Sequence, residues 1–277
     1  MTTRRLVGAL GTFVLAFSAM AQSRSNDSLA EARRMYNAQR FDAAIAAATE
    51  ARKQPALADA AAVVLARARL ERFQQTAERS DLGAARDALK LVDATKLSNR
   101  DHTEYLIALG ESLYLDDDYE LDDRYAAAAE LFEIALDRAD DFDQKGRDQL
   151  FAWWAVSLDR HAQRSQDTER RANYERILTR AQRELARPDA AISASYWLAA
   201  SARGAHDLAR AWSAAVAGWI RAGSLGARGA ALRNDLDNLI VQVILPERAR
   251  QLLPGADPQP AMTLLQGQWN GVKDRWK

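Results

Sequence analysis

Large and small side chains share one helical stripe at the same spacing in several separate parts of the chain. From residue 125 an aromatic, a small residue, an aromatic and a small residue follow at steps of three, four and three, which places them on one face of a helix. The small residues let a second helix backbone approach closely, and the aromatics fill the space beside it. A recurring helix of this type predicts an all-α fold of antiparallel helical hairpins stacked on one another. The sets with this spacing are Tyr125, Ala128, Phe132 and Ala135; Phe41, Ala44, Ala48 and Ala51; and Leu208, Ala211, Ala215 and Gly218.

Helix start and stop signals divide the first hairpin. Ser28 and Glu31 form the capping-box pattern that begins a helix, and a turn is expected near Gln39. Pro55 stands just past the expected end of the second helix, where proline is common. The signals predict one helix from Ser28 to about residue 37 and another to about residue 53.

This arrangement resembles the tetratricopeptide repeat (TPR) family, in which units of about 34 residues are pairs of antiparallel helices. The resemblance covers residues 28–222 in about five units, of which the second (57–95, with a turn lengthened by polar residues 74–81) and the fourth (147–188) are degenerate. It implies a right-handed α-solenoid that acts as a binding scaffold. The matching positions are Ala32, Phe41, Ala44, Ala51 and Pro55; Leu109, Gly110, Tyr125, Ala128, Phe132 and Ala135; and Leu198, Ala199, Leu208, Ala211, Ala215 and Gly218.

The resemblance also implies where a ligand lies. The family binds ligands along a groove lined by the first helix of each hairpin, at set positions after the mid-helix small residue. The set here is mixed in charge and resembles a surface for an extended peptide, although an ordinary solvated helix face is an equal alternative. The predicted groove residues are Arg33, Tyr36, Asn37, Glu111, Tyr114, Asp159, Arg160 and Arg203, with Leu115, Val156, Ala200 and Gly204 at the remaining positions.

Residues 223–277 have the pattern of a helical cap over the last repeat. Apolar residues at three- and four-residue spacing predict one amphipathic helix, and Pro246 is placed to begin a following short helix that Gly255 ends. A last helix follows the proline-rich stretch 254–260. The apolar positions of the two longer helices are Leu232, Leu236, Leu239, Ile240, Val243 and Ile244, and Leu265, Trp269, Val272 and Trp276.

The first 21 residues have the pattern of a secretory signal peptide. Arg4 and Arg5 precede an apolar run over residues 6–17, and small residues at Ala19 and Ala21 predict cleavage after Ala21. The apolar run is shorter than the roughly 20 residues that a membrane span requires. We therefore expect a periplasmic or secreted protein without a stable membrane anchor after cleavage, in which residues 22–27 form a short linker.

Composition argues against several classes of function. Lys+Arg and Asp+Glu are equal at 38 each, so the basic excess typical of nucleic-acid binding is missing. Cysteine is absent, which excludes disulfides and thiolate metal sites. The sequence contains no HExxH, GxSxG, SxxK or glycine-rich phosphate motif. The chain is accordingly predicted to be no enzyme and to use no cofactor or metal.

Three features leave alternatives open. The acidic run over residues 116–123 provides clustered oxygen ligands for calcium, but it lacks the glycine and closing glutamate of an EF-hand, and a solvated loop is favoured. His102, His161 and His206 lie far apart and suit surface or capping roles. The five tryptophans within residues 153–219 form either core, which is favoured, or a ligand platform. Of the adjacent pair Trp153 and Trp154, one is expected to be buried and its neighbour partly exposed.

The leading hypothesis is an exported, non-catalytic scaffold that binds a protein or peptide partner in the bacterial cell envelope. One alternative is an accessory or cell-wall protein that acts on glycan. The other is a self-assembling structural component that docks through Trp269 and Trp276. The sequence indicates neither the partner nor the oligomeric state.

Overall fold

The computed structural model describes residues 28–117, 123–188 and 190–276. The predicted signal peptide and linker, residues 1–27, and part of the acidic run lie outside these ranges. All regular structure within them is helical, which confirms the all-α prediction. The described residues fall into two compact units, one within Met1–Tyr119 and one within Glu120–Lys277.

The first unit holds five α-helices and a short 3-10 turn. Helix α3 lies at its centre, packing against α2, α4 and α5. Its middle is buried on nearly every side, as its composition of Ala, Val and Leu requires. The helices are α1 (28–37), α2 (Phe41–Ala51), α3 (Ala58–Thr76), α4 (Arg79–Lys90) and α5 (Asn99–Tyr114), and the 3-10 turn is Ala94–Lys96.

Left-handed residues make the two tight turns of this unit. The turn predicted near Gln39 is confirmed, since Gln39 has a φ of 58° between α1 and α2. The long polar turn predicted over residues 74–81 is wrong. Ala77, also at a φ of 58°, ends α3, and α4 begins at Arg79. The polar residues on both sides of Ala77 are compatible with a helix, so the non-helical turn between α3 and α4 is short.

The second unit is a chain of helices in which each packs on the next from α6 to α11, and α12 packs on α13. Helix α7 also contacts α9. Helices α5 and α6, which form the third predicted repeat, thus belong to different units. The helices are α6 (Arg124–Asp137), α7 (Gln144–Arg164), α8 (Asp167–Leu185), α9 (Ser193–Gly204), α10 (Leu208–Ala222), α11 (Gly226–Leu239), α12 (Leu245–Leu252) and α13 (Gln259–Arg275).

A π-helical turn joins α11 to α12. The short helix predicted to begin at Pro246 is confirmed, since α12 begins at Leu245 with Pro246 in its first turn. The two helices are continuous, because Ile240–Ile244 runs from α11 into α12 in π geometry. Proline lacks an N–H and its ring collides with the carbonyl four residues earlier, so a widened turn accommodates it where an ordinary α-turn would not. Gly255, at a φ of 76°, lies beyond the end of α12.

Tryptophans fill the core of the second unit. The expectation for the adjacent pair is confirmed: Trp154 is 1% exposed, and Trp153 is partly buried, with its ring stacked on Phe132 at 6.0 Å. Trp269 is fully buried, and its ring meets those of Trp219 and Trp212 edge-on at 5.2 and 6.1 Å. Packing between helices therefore accounts for these side chains.

A buried ion network joins α6, α7 and α8. Glu184 is 1% exposed. Its carboxylate accepts two hydrogen bonds of 2.9 Å from Arg147 and one of 3.1 Å from Arg180. Arg147 also donates to the Leu136 carbonyl at 3.3 Å, and Arg180 to Asp137 at 2.7 Å. Each buried charge is thus compensated by another.

No helix in the described ranges combines the length and apolar character needed to cross a bilayer.

Candidate functional site

A small polar cavity of about 20 Å³ lies in the first unit between α1, α3 and α5. Ala32 of α1 is buried in the core, and the residues that follow it reach the cavity. Its volume matches the space that a single water molecule occupies. The walls are formed by Arg33, Tyr36, Asn37, Val64, Arg67, Arg100 and Glu104.

Charged groups surround Tyr36 beside this cavity. The Tyr36 hydroxyl donates to the Glu71 carboxylate at 3.1 Å, and the Arg67 guanidinium lies over the Tyr36 ring, 4.6 Å from its centroid. Arg67 is also 3.8 Å from Glu104. Burial raises the pKa of Tyr36 well above its usual value, so its hydroxyl stays protonated as a donor.

Glu111 is a fully buried carboxyl group close to the same cluster. Its exposed fraction is 0%, and neither carboxylate oxygen accepts a hydrogen bond from any residue that the structure describes. Burial raises the pKa of Glu111 to about 8, although the positive charge of Arg67 opposes the shift. Glu111 is therefore largely protonated at neutral pH.

The Glu111→Gln substitution is expected to remove a pH dependence of stability. Because the folded protein holds the proton more tightly than the unfolded chain, the free energy of unfolding of the first unit falls as the pH rises from the unfolded pKa towards about 8. The slope is up to about 1.4 kcal/mol per pH unit. Glutamine is neutral at every pH and abolishes this slope. Urea unfolding followed by far-UV circular dichroism at several pH values measures it.

Tryptophan fluorescence separates the two units in this experiment, since all seven tryptophans lie at position 153 or later. Glu50→Gln is the matched control, because Glu50 is exposed and, among the residues that the structure describes, pairs only with Lys53. Retention of the wild-type slope in Glu111→Gln would show that another group titrates.

A larger cleft of about 700 Å³ lies in the second unit, where the ends of α7, α8, α9 and α10 meet α12. This volume is within the range of pockets that hold small ligands. Helix α9 ends at Gly204, and His206 reverses the chain with a φ of 65° before α10. The walls are formed by Gln163, Arg170, Tyr174, Arg203, Gly204, His206, Leu208, Glu247, Arg250 and Gln251.

Gly204 allows the Tyr174 ring to lie against the end of α9. A Cβ atom at position 204 would come within 2.5 Å of the ring, a distance that only glycine avoids. The Tyr174 hydroxyl donates to Asp159 at 2.9 Å. Burial raises the pKa of Asp159 above its usual value and that of Tyr174 to about 12, so the phenol remains a donor.

An ion pair links α9 to α12 at the cleft wall. The Arg203 Nε atom lies 3.1 and 3.0 Å from the two carboxylate oxygens of Glu247. The two side chains are 43% and 28% exposed. The pair fixes the direction of the Arg203 guanidinium beside Tyr174.

The predicted groove residues separate into two groups. In the first unit Arg33, Tyr36 and Asn37 line the cavity, and Arg33 pairs with Asp101. Glu111 does not lie on an open face as expected, because the packing of α5 on α3 buries it. Tyr114 is partly buried. In the second unit the positive charges of Arg160 and Arg203 act on the Asp159 carboxylate, and Arg203 lines the cleft.

Several site residues were outside the predicted set. Arg67 and Glu71 interrupt an apolar run in α3, and charges at such positions are a signal of buried polar contacts. Glu247 and Arg250 lie in the predicted cap, outside the repeats, and His206 lies in a turn that the repeat pattern does not assign, so sequence spacing gave no reason to group them.

Two residues of the acidic run and one histidine pair with side chains of other residues. Asp116 pairs with Arg86, and Asp117 with Arg79 at 3.3 Å, while residues 118–122 lie outside the described ranges. His161 is 3.1 Å from Glu169. Among the residues described, no group of three or more acidic or histidine side chains is arranged to hold a metal ion.

The fold and its sites define an all-α protein in which each of two units carries a polar site between helices. Comparison of the chain with family models, with curated proteins and with solved structures finds no match in any of the three.

Proposed function

We propose that the chain is a non-catalytic, TPR-like helical scaffold that binds a peptide segment of a partner protein in the cell envelope. The observation that carries the proposal is the cleft of about 700 Å³ in the second unit. Arg203 and Gly204, both expected at groove positions, lie in its wall. Tyr174 and Leu208 give it apolar surface beside polar groups, a mixture that suits a peptide.

The order of helix contacts supports a repeat architecture. In each unit, helices adjacent in sequence pack on one another, as in α3 with α4 and α7 with α8. Small residues lie at the close approaches: Ala44, Ala128 and Ala211 are each fully buried. Stacked hairpins of this type form a right-handed solenoid, which is the arrangement that we propose.

The proposed location rests on the sequence of residues 1–21. Its positive residues, short apolar run and small residues before the expected cut have the pattern of an export signal. N-terminal sequencing of the protein recovered from the periplasm of an expressing bacterium tests it. A start at Gln22 supports export, and an intact N-terminus in the cytoplasm contradicts it.

The binding proposal is tested with a displayed library of random peptides and the purified protein. Recovered peptides are synthesised, and their affinity is measured by fluorescence anisotropy. The proposal predicts that each peptide binds saturably and that different peptides compete with one another for a single site. If no peptide binds above background, the chain is not a peptide scaffold.

Gly204→Ala is expected to weaken such binding by about tenfold and to cost about 1–3 kcal/mol of stability, because the added methyl group displaces the Tyr174 ring from the cleft wall. Calorimetry and anisotropy measure the two effects. Gly267→Ala, on α13, is the matched control, since nothing lies within 4 Å of its added Cβ. The control is expected to preserve affinity and to raise stability slightly. Equal affinities for Gly204→Ala and the wild type would place the peptide elsewhere.

A further inference from the structure

Each carboxylate oxygen of Glu247 and Asp159, at and beside the cleft, already has a hydrogen-bond donor within the protein. Both oxygens of Glu247 face Arg203. The oxygens of Asp159 accept hydrogen bonds from the Tyr174 hydroxyl at 2.9 Å and from the Gln163 amide at 2.7 Å. A ligand that brought only donors to this cleft would have to share these oxygens with donors of the protein.

Three side chains with donor groups at the cleft, in contrast, have no partner among the residues that the structure describes. Across the described residues, none forms a hydrogen bond or ion pair with the side chains of Arg250, His206 or Gln251. Arg250 is exposed and carries five N–H donors in a planar fork that matches a carboxylate. These three residues extend from two different segments, since Arg250 and Gln251 belong to α12 and His206 follows α9.

The charged residues that line the cleft are mainly positive, which also favours a ligand with acceptor groups. Three arginines and one glutamate line the cleft. Arg203 is neutralised by Glu247, and Arg170 is held by Asp167 at 2.9 Å and by the Ser165 carbonyl at 2.9 Å. Arg250 therefore contributes the positive charge that no described residue compensates.

We propose that the cleft binds an extended peptide segment that carries acidic side chains, with Arg250 as its principal contact and His206 and Gln251 as further donors. This inference rests on the proposed peptide-binding function. Side-chain carboxylates are favoured over the single carboxylate of a chain terminus because the unused donors extend from two elements. One terminal group has two oxygens and satisfies one fork, whereas successive acidic side chains reach donors on both elements.

The test uses peptide pools with acetylated and amidated ends. Glu, Gln or Lys is fixed at alternate positions, and the other positions are randomised. The Glu pool is expected to bind at least about tenfold more tightly than the Gln pool, and the Lys pool most weakly, with affinity for the Glu pool falling as salt rises. A free C-terminus on the Gln pool is the arm that detects recognition of a terminal carboxylate.

Arg250→Gln is expected to reduce the affinity for the Glu pool by about tenfold and the affinity for the Gln pool much less, because a carboxylate binds the guanidinium more strongly than an amide does. Arg183→Gln is the matched control: Arg183 is exposed on α8, and it lies about 20 Å along that helix from the cleft residue Arg170. An equal loss in both variants, or tight binding of the Gln pool through its free C-terminus, overturns the inference.

The two proposals fail in different ways. If library peptides bind but the Glu pool has no advantage, the scaffold proposal stands and the acidic ligand is wrong. If neither the library nor any pool binds, the scaffold proposal itself is wrong. Gly204→Ala lowers the affinity for all peptides alike, whereas Arg250→Gln mainly lowers the affinity for acidic ones. The two variants therefore distinguish a failure of the acidic-ligand proposal from a failure of the scaffold proposal.

Discussion

Glu184→Ala is expected to lower the free energy of unfolding of the second unit by about 3–5 kcal/mol. The substitution leaves Arg147 and Arg180, which are 5% and 8% exposed, without the carboxylate that now accepts their hydrogen bonds. Arg180 keeps its bond to Asp137 at 2.7 Å, whereas Arg147 loses both of its hydrogen bonds of 2.9 Å to a carboxylate. Guanidinium chloride unfolding followed by tryptophan fluorescence measures the loss, because every tryptophan is in this unit.

The control for this variant is Glu175→Ala on the same helix. Glu175 pairs with Arg171 at 3.2 Å, and both side chains are more than half exposed, at 59% and 64%. An exposed pair at this spacing contributes about 0.3–0.5 kcal/mol. Comparable losses in the two variants would mean that water reaches the Glu184 network and that burial does not set its strength.

Trp269→Ala is expected to cost about 3–5 kcal/mol, since it leaves a large cavity among the helices of the C-terminal segment. Trp269 is fully buried, its ring packs on Trp219, and its indole N–H donates to Asp237 at 2.7 Å. Removal of the ring also leaves Asp237 with Lys273 as its remaining partner, at 3.1 Å. Chemical unfolding followed by circular dichroism at 222 nm measures the loss.

Trp276→Ala is the control, because it removes the same indole side chain at an exposed position. Trp276 follows α13 and is 51% exposed, so its replacement is expected to change stability by less than about 0.5 kcal/mol. Trp269→Phe separates the packing from the hydrogen bond, because it keeps an aromatic ring and removes the N–H donor. A small effect of Trp269→Ala would show that the neighbouring helices close over the cavity.

Local patterns predicted the helices well because they depend on residues close in sequence. The 3.6-residue period marked the buried positions of α2, where Phe41, Ala44, Ala48 and Ala51 are all buried. The turn at Gln39 also followed from local signals. The turn at Ala77 did not, since an alanine in the left-handed region gives no sequence signal.

The sites were harder to predict because they depend on contacts between distant segments. The bond between Tyr36 and Glu71 spans 35 residues, and that between Arg203 and Glu247 spans 44. Spacing along one helix identified Tyr36 and Arg203 but gave no information on their partners. For the same reason, Glu111 was expected on an open surface, although α5 buries it.

Alanine lines many of the surfaces where helices meet, and its methyl group has no rotamers that interlock with a facing groove. Such surfaces are smooth, so packing alone fixes poorly how far one helix is displaced along its neighbour. Hydrogen bonds between buried ions depend on direction and tolerate little displacement. Asp81 is bound by Arg69 and Arg72 between α3 and α4, and Glu184 by Arg147 between α7 and α8. We infer that these ion networks set the axial register of the helix pairs, while apolar contacts hold the pairs together.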